Sequence, residues 1–292
     1  MPDFIVPPTC PSLPIKDFLR RRAGLSLTLW RKIKTGGTLK VNSLPVTIQA
    51  LVQPGDVITA TWPEESAIAA EPLPLSIIYE DEWLLVVDKP PGMLVHPAAG
   101  QHSGTLANAI MYHYLQHNYS CGFHPVNRLD RYTSGLVLIA KRPDIQHWLN
   151  QNQQYIDKQY LAVVSGIPQP SCGIIDAPIG RKTNSIIERE VRPDGRQAIT
   201  HYRALASFRQ ASLLELLLKT GRTHQLRVHL SYIGHPLLGD DLYGGSTDLI
   251  GRQALHAASL SLPHPVSRQP LITSSPLPAD LNNLLVYLGG KI

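Results

Sequence analysis

The sequence predicts an α+β protein in two parts, a small basic module followed by a larger body of mixed strands and helices. Three observations predict it. The front reads as two short helices and then short strands. An acidic, Pro- and Ala-rich stretch breaks the pattern after residue 62, and from Ile77 onward short strands and helices follow in mixed order. With 43% apolar and 17% charged among 292 residues, the chain can bury a sizeable core and does not read as disordered.

In the front module, residues 12–62, Pro14 opens a helix with Ile15, Phe18 and Leu19 on one face, and Gly24 stops it. Ser26 caps a second helix carrying Leu29, Trp30 and Ile33, ended by Gly36-Gly37. Leu39 and Val41, a turn at Asn42-Ser43, then Val46 and Ile48 form a β segment. After the Pro54-Gly55-Asp56 turn, Val57 to Trp62 close it. Charge is concentrated here. The whole chain carries +5, yet residues 16–40 alone carry +7, so the remainder sums to −2. Lys16, Arg20, Arg21, Arg22, Arg31, Lys32, Lys34 and Lys40 face the single acid Asp17. A solvated helix face would intersperse acids, so the patch reads as a footprint for nucleic acid, with Arg20, Arg21, Arg22, Arg31, Lys32 and Lys34 as its contacts.

Residues 63–76 read as a semi-stiff linker, and 77–292 as the body. Ile77-Ile78-Tyr79 and Trp83 to Val87 are strands separated by Glu80-Asp81-Glu82. Lys89 to Pro97 form a rigid Pro/Gly loop, and Gly104-Thr105-Leu106 to Gln116 a helix. His113 and His117 lie at zinc-binding spacing on that helix, but without a third ligand they read as a surface pair. Lys158 to Gly166 alternate as a strand, with Tyr160, Ala162 and Val164 on one face and Leu161 and Val163 on the other.

The most informative stretch is Arg128-Leu129-Asp130-Arg131-Tyr132-Thr133-Ser134-Gly135, which runs into the apolar strand Leu136 to Ala140. A carboxylate at the rim of a buried strand, flanked by guanidinium groups, stays ionised at neutral pH. That suits a nucleophile or base acting on a phosphate-rich substrate. The ordinary alternative is a surface Arg-Asp-Arg salt bridge. Thr220-Gly221-Arg222-Thr223-His224-Gln225-Leu226-Arg227-Val228-His229 forms a second dense motif, in which Gly221 permits a turn, Arg222 is presented at it, and Thr223 caps a helix.

The first motif closely resembles the H-R-L-D-x-x-T-S-G signature of the RluA-type pseudouridine synthases. The resemblance extends through Tyr79 to Pro97, Lys158-Gln159-Tyr160-Leu161-Ala162, the Arg222 motif, Gly234-His235-Pro236, Gly239-Asp240, Tyr243-Gly244, Leu255-His256-Ala257 and His264-Pro265, spanning roughly residues 77–280. Asn127 departs from it, standing where the family usually has histidine; an amide keeps a hydrogen bond but does not titrate near neutrality. The front module is similar to an S4 RNA-binding domain, except that Ser43 occupies a usual glycine position.

The resemblance implies a mixed, largely antiparallel sheet with flanking helices and a central cleft. It implies an isomerase that breaks the N1–C1′ bond of uridine, rotates uracil and rejoins it through C5. Asp130 is the implied reactive carboxylate, Arg222 its partner and Tyr160 the ring against the base, with the tyrosine hydroxyl as a base for the C5 proton. Asp130 could trap the sugar covalently, stabilise its oxocarbenium character or deprotonate C2′. Arg128, Arg131, Lys89 and Lys158 are expected to touch RNA, Arg131 by filling the space that the flipped uridine leaves. No cofactor or metal is expected, because the isomerisation adds no atoms and transfers no net electrons. The implied partner is large-subunit ribosomal RNA, with transfer RNA as the alternative, and the protein is expected to be a monomer. Two other classes remain open, a non-catalytic RNA-binding assembly factor and a metal-dependent hydrolase; a pseudouridine assay and metal analysis separate them. No apolar run approaches membrane length, no secretory signal is visible, and Cys10, Cys121 and Cys172 form no C-x-x-C pair, which together point to the cytoplasm.

Overall fold

The computed structural model describes residues 3–62, 68–98 and 100–289. Among them no helix is long and apolar enough to cross a membrane.

The front residues build a core of their own from Val6, Ile15, Phe18, Leu19, Leu29, Trp30, Ile33, Val52 and Ile58. The first expected helix is short. Ile15–Asp17 is α-helical, and Phe18–Arg22 widens into a π turn in which Ala23 N–H reaches back to the Phe18 carbonyl. The second helix, Leu27–Gly36, starts where Ser26 accepts a hydrogen bond from Leu29 N–H. A four-stranded antiparallel sheet follows, and it includes Asp3–Ile5 paired with Val57–Thr61. The module therefore begins near residue 3 rather than 12. Of the expected linker, residues 63–67 lie outside the described residues. Residues 68–75 pack on the body: Ile68 and Leu75 touch its core, and the Ala69 carbonyl accepts from Asn108 Nδ2.

One large sheet organises the body. Its strands run in the order Cys172–Asp176, Ile199–Ser207, Ala211–Leu218, Asp157–Ser165, Leu255–Pro263, Ser134–Ala140, Leu84–Lys89 and Ser76–Glu80. Every neighbouring pair in this order is antiparallel except Ser134–Ala140 with Leu255–Pro263, which run parallel. Central strands covered on both faces need unbroken apolar runs, and Leu84–Val87 and Leu136–Ala140 supply them. Alternate residues feed opposite layers. Leu85, Val87, Val137, Ile139, Tyr160, Ala162 and Val164 meet the helices Leu106–Gln116 and Gln225–Tyr232. Leu84, Val86, Leu136 and Leu138 meet the helix Pro143–Gln151, while Val163 faces the helix Ala279–Tyr287. The architecture is the α+β, largely antiparallel arrangement that the resemblance implied.

The Thr-Ser-Gly part of the first motif is explained by the parallel pair. Gly135 has φ +110°, and a Cβ there would lie 2.3 Å from the Ala257 carbonyl oxygen, so only glycine lets the strands approach. Ser134 Oγ lies 3.0 Å from His256 Nδ1, and His256 Nε2 lies 3.2 Å from the Ser275 carbonyl. Nε2 donates to that carbonyl, so Nδ1 accepts the serine proton; burial lowers the imidazole pKa and keeps it neutral. Gln253 donates to Thr133 Oγ1 at 3.3 Å, and Arg252 donates to the Tyr132 carbonyl at 3.0 Å. The turn that carries Asp130 is thus tied down from behind.

Candidate active site

Asp130 sits on that turn, its carbonyl accepting from Thr133 N–H at 3.1 Å. Leu129 anchors the turn in the core, while Arg128 and Arg131 on either side are exposed. Arg131 Nε donates to the Gly92 carbonyl at 3.0 Å, and Gly92 N–H returns a bond to the Arg131 carbonyl at 2.9 Å. Asn127 holds the strand edge, with Oδ1 accepting from Leu138 N–H and Nδ2 donating to the Leu136 carbonyl.

The cation at Asp130 is not Arg222 but Arg227. Arg227 Nη1 donates to Asp130 Oδ2 at 3.3 Å, and its Nε and Nη2 donate to the two oxygens of Asp240 at 2.8 and 2.7 Å. Arg222 is exposed and turns away, donating from Nε to the Gln197 carbonyl. The reason lies in the backbone between them. His224 takes a left-handed conformation with φ 57°, and it, not Thr223, precedes the helix Gln225–Tyr232. That turn aims Arg227 inward. A non-glycine residue in this region is strained, and the surrounding bonds fix it there. Gln225 Oε1 accepts from Thr220 Oγ1 and Arg222 N–H, and Gln225 Nε2 donates to the Ile199 carbonyl.

Asp240 is 1% exposed and Arg227 8%, so this bidentate pair is dry. Arg227 also lies 4.8 Å over the Tyr243 ring. Removing either partner would strand a buried charge, at about 3–5 kcal/mol. Burial alone would lower the arginine's pKa, but Asp240 and Asp130 reverse that and hold it raised. Tyr243 Oη accepts from Arg189 N–H at 3.0 Å and lies 2.8 Å from His224 Nδ1. Burial lowers the His224 pKa, opposed by the Asp130 charge. The neutral ring then accepts the tyrosine proton at Nδ1 and keeps its own on Nε2, 3.8 Å from Asp130.

Tyr160 completes the cluster. Tyr160, Ala257 and Gly135 form one row across three neighbouring strands. The ring is 5% exposed, and burial, then the Asp130 charge, push its hydroxyl pKa well up.

Two expected RNA contacts in the body lie elsewhere. Lys89 is fully buried, its ammonium donating to the carbonyls of Pro90, Met93 and Arg131. Burial, then the Arg252 charge, lower its pKa to about 7. It cannot reach a phosphate; it knots the Pro/Gly loop to the Asp130 turn. Lys158 is turned to Gln153 Oε1 at 2.5 Å, with its pKa lowered by burial. In the front module Arg21, Arg22, Arg31, Lys32 and Lys34 are exposed, whereas Arg20 is half-buried and donates to the Leu25 carbonyl. His113 is bonded to Glu80, and no metal-holding group of His, Cys, Asp or Glu occurs among the described residues.

The model of one protein family, RNA pseudouridylate synthase, matches residues 83–232. The chain is 43% identical to the RNA pseudouridine synthase YjbO of Bacillus subtilis strain 168, over 90% of this chain and 95% of that one. The chain belongs to the RNA pseudouridylate synthase family. It is also 39% identical to the ribosomal large subunit pseudouridine synthase D of Vibrio cholerae, over 86% of this chain and 83% of that one. Among solved structures, human RNA pseudouridylate synthase domain containing 4 superposes with a TM-score of 0.61 at 26% identity, covering 74% of this chain and 94% of that one. The matched segment contains Asp130, Tyr160, Arg222 and Arg227, so the regrouping around Arg227 falls inside it. Members of this family are isomerases.

Asp240 and Tyr243 stand in the sequence without an evident role, and Arg227 draws less notice than Arg222 in the same motif. Only the folded helix singles out Arg227, an arginine between Leu226 and Val228 where residues 225–230 are all buried. A charge there needs a buried partner.

Proposed function

We propose that this protein converts uridines of large-subunit ribosomal RNA to pseudouridine, acting as a monomer in the cytoplasm. The single observation that carries the chemistry is the Asp130 carboxylate held by the buried Arg227–Asp240 pair beside the buried Tyr160 ring. Arg227 fixes the orientation of Asp130 through its hydrogen bond to Oδ2, so a carboxylate oxygen meets the sugar of a flipped uridine. That oxygen stabilises or traps the oxocarbenium-like sugar, or removes the C2′ proton, as the N1–C1′ bond opens. Tyr160 supports the detached uracil with its ring. Its hydroxyl remains protonated at neutral pH and is therefore a weak base, so ring support is the role its surroundings favour. Arg128 and Arg131 stand at the mouth for RNA, and an S4-like front module lays its exposed cations along phosphates.

The choice of large-subunit RNA rests on relatives named for that substrate. Mapping pseudouridines in RNA from cells lacking the gene tests it. Loss of specific pseudouridines from large-subunit RNA, restored by the intact gene, is expected. Loss confined to transfer RNA would replace the substrate, and no loss in any RNA would reject the reading.

A further inference from the structure

The hairpin formed by Ile179–Arg181 and Arg189–Val191 ends in two adjacent isoleucines that face water: Ile186 is 82% exposed and Ile187 58%. Exposed single apolar residues are common, but two together at a braced tip are not explained by packing. The tip is held firmly. Arg189 Nη1 donates to the carbonyls of Ile187 and Glu188 at 3.2 and 2.9 Å. Ser185 Oγ accepts from Ile187 and Glu188 N–H at 3.3 and 2.9 Å, and Lys182 pairs with Glu188 at 2.6 Å.

The base of the hairpin belongs to the site. Ile179 and Val191 pack with Val228, next to Arg227 on the same helix, and with Tyr243. Arg189 N–H donates to Tyr243 Oη, which bonds His224, whose other nitrogen faces Asp130. The isoleucines lie two and three residues from Arg189, in the bend that closes the hairpin. Arg181, Arg196 and Arg222 are exposed and have no acidic partner among the described residues.

Resting on the reading of this chain as an RNA pseudouridine synthase, we propose that Ile186 and Ile187 form an apolar wedge. It enters the base stack of structured RNA beside the target uridine, while Arg181, Arg196 and Arg222 hold the neighbouring phosphates. Apolar side chains pushed between base steps unstack them, at a cost of a few kcal/mol that phosphate contacts offset. A hairpin rooted on Val228 and Tyr243 places that unstacking beside the site from which the base must leave.

The test uses the full chain with Ile186→Ser and Ile187→Ser together, and a second double variant with Ile186→Met and Ile187→Met. An unmodified large-subunit RNA transcript and a short oligonucleotide spanning a converted uridine, too short to fold, serve as substrates. Single-turnover conversion of the folded transcript should fall at least tenfold for the serine pair and stay within threefold for the oligonucleotide. The methionine pair should restore it. A uridine-containing RNA duplex with 2-aminopurine beside the uridine should brighten with wild type and with the methionine pair, but not with the serine pair. Equal slowing on both substrates, or no slowing, overturns the wedge. Slowing seen only when ribosomal proteins coat the RNA also overturns it and makes the tip a protein contact. If wild type converts nothing in the transcript, the choice of RNA fails, and the duplex fluorescence still decides the wedge.

Discussion

The front module and the catalytic body both depend on charge, and they use it in opposite ways. In front, Arg21, Arg22, Arg31, Lys32 and Lys34 are exposed, and among the described residues the one ion pair they form is Arg21 with Asp17, at 3.6 Å. Each is a point charge that salt screens and another cation could replace. In the body, Arg227 is buried and its three bonding nitrogens are all assigned, two to Asp240 and one to Asp130. There, direction and dryness matter more than the number of charges. Under the proposed function, the contrast means that affinity for RNA and the capacity to react with it would be built from physically separable groups.

Replacing Asp130 with Asn tests that separation most severely. The change removes the reactive charge and almost no volume, so turnover should drop by on the order of 10³-fold or more. RNA affinity should change less than threefold. Tritium release from uracil-labelled RNA and a filter-binding titration check both halves. Appreciable turnover would reject Asp130 as the reacting group, and weakened binding would show that the two uses of charge are not separable.

How much of this is legible in the sequence depends on how local each feature is. Asp130 and its Thr-Ser-Gly turn can be read because the carboxylate, the turn and the strand are contiguous. The Tyr160 face follows from strand alternation, which survives the bulge beside it. The choice between Arg222 and Arg227 cannot be read, because it depends on a left-handed residue at His224 rather than at Gly221, which lacks a positive φ. Lys89 misleads for a similar reason. Beside Pro90, Pro91 and Gly92 it looks like a surface cation, and the Arg131 carbonyl that helps to bury its charge lies 42 residues away. The hairpin carrying Ile186 and Ile187 leaves no periodic signal, since two polar-flanked apolar residues resemble any loop.

Arg227→Lys against Arg222→Lys sharpens the comparison at the site itself. An ammonium cannot bond Asp240 twice and still reach Asp130, so Arg227→Lys should slow turnover by about 10²–10³-fold. Arg222→Lys keeps an exposed cation and should cost less than tenfold. Single-turnover rates at saturating RNA decide. Were the order reversed, the regrouping around Arg227 would be wrong.

Removing the front charges probes the other side. Changing Arg21, Arg22, Arg31, Lys32 and Lys34 together to Ala should flatten log affinity against log salt by about 0.7–0.9 for every phosphate no longer neutralised. Single-turnover rates at saturating RNA should stay within tenfold, a barrier change of about 1.4 kcal/mol or less. An unchanged salt slope would mean that the RNA anchor lies elsewhere, and the exposed arginines of the body would then have to supply it.

The smallest effect concerns the fold of the front module alone. Asn42 and Ser43 form the two-residue turn between Thr38–Val41 and Leu44–Val46, both with positive φ, 49° and 68°. Such a turn matches the twist of the strands but strains any residue with a Cβ. The two residues do not bear that strain alike. Asn42 is compensated, since Nδ2 donates to Asp56 at 2.8 Å and Oδ1 accepts from Val57 N–H at 2.9 Å. Ser43 makes no side-chain hydrogen bond among the described residues, so its strain is uncompensated. Ser43→Gly should therefore stabilise the module, by roughly 0.5–1 kcal/mol, because glycine's greater freedom when unfolded takes back part of the relief. Asn42→Gly should destabilise it by removing the two side-chain bonds. Urea midpoints followed by fluorescence of the buried Trp30 would show opposite shifts. The Ser43 variant should bind RNA with unchanged affinity and salt slope, since the turn carries no cation. A lower midpoint for Ser43→Gly would mean that the turn is not strained, and that a serine at this position costs the module nothing.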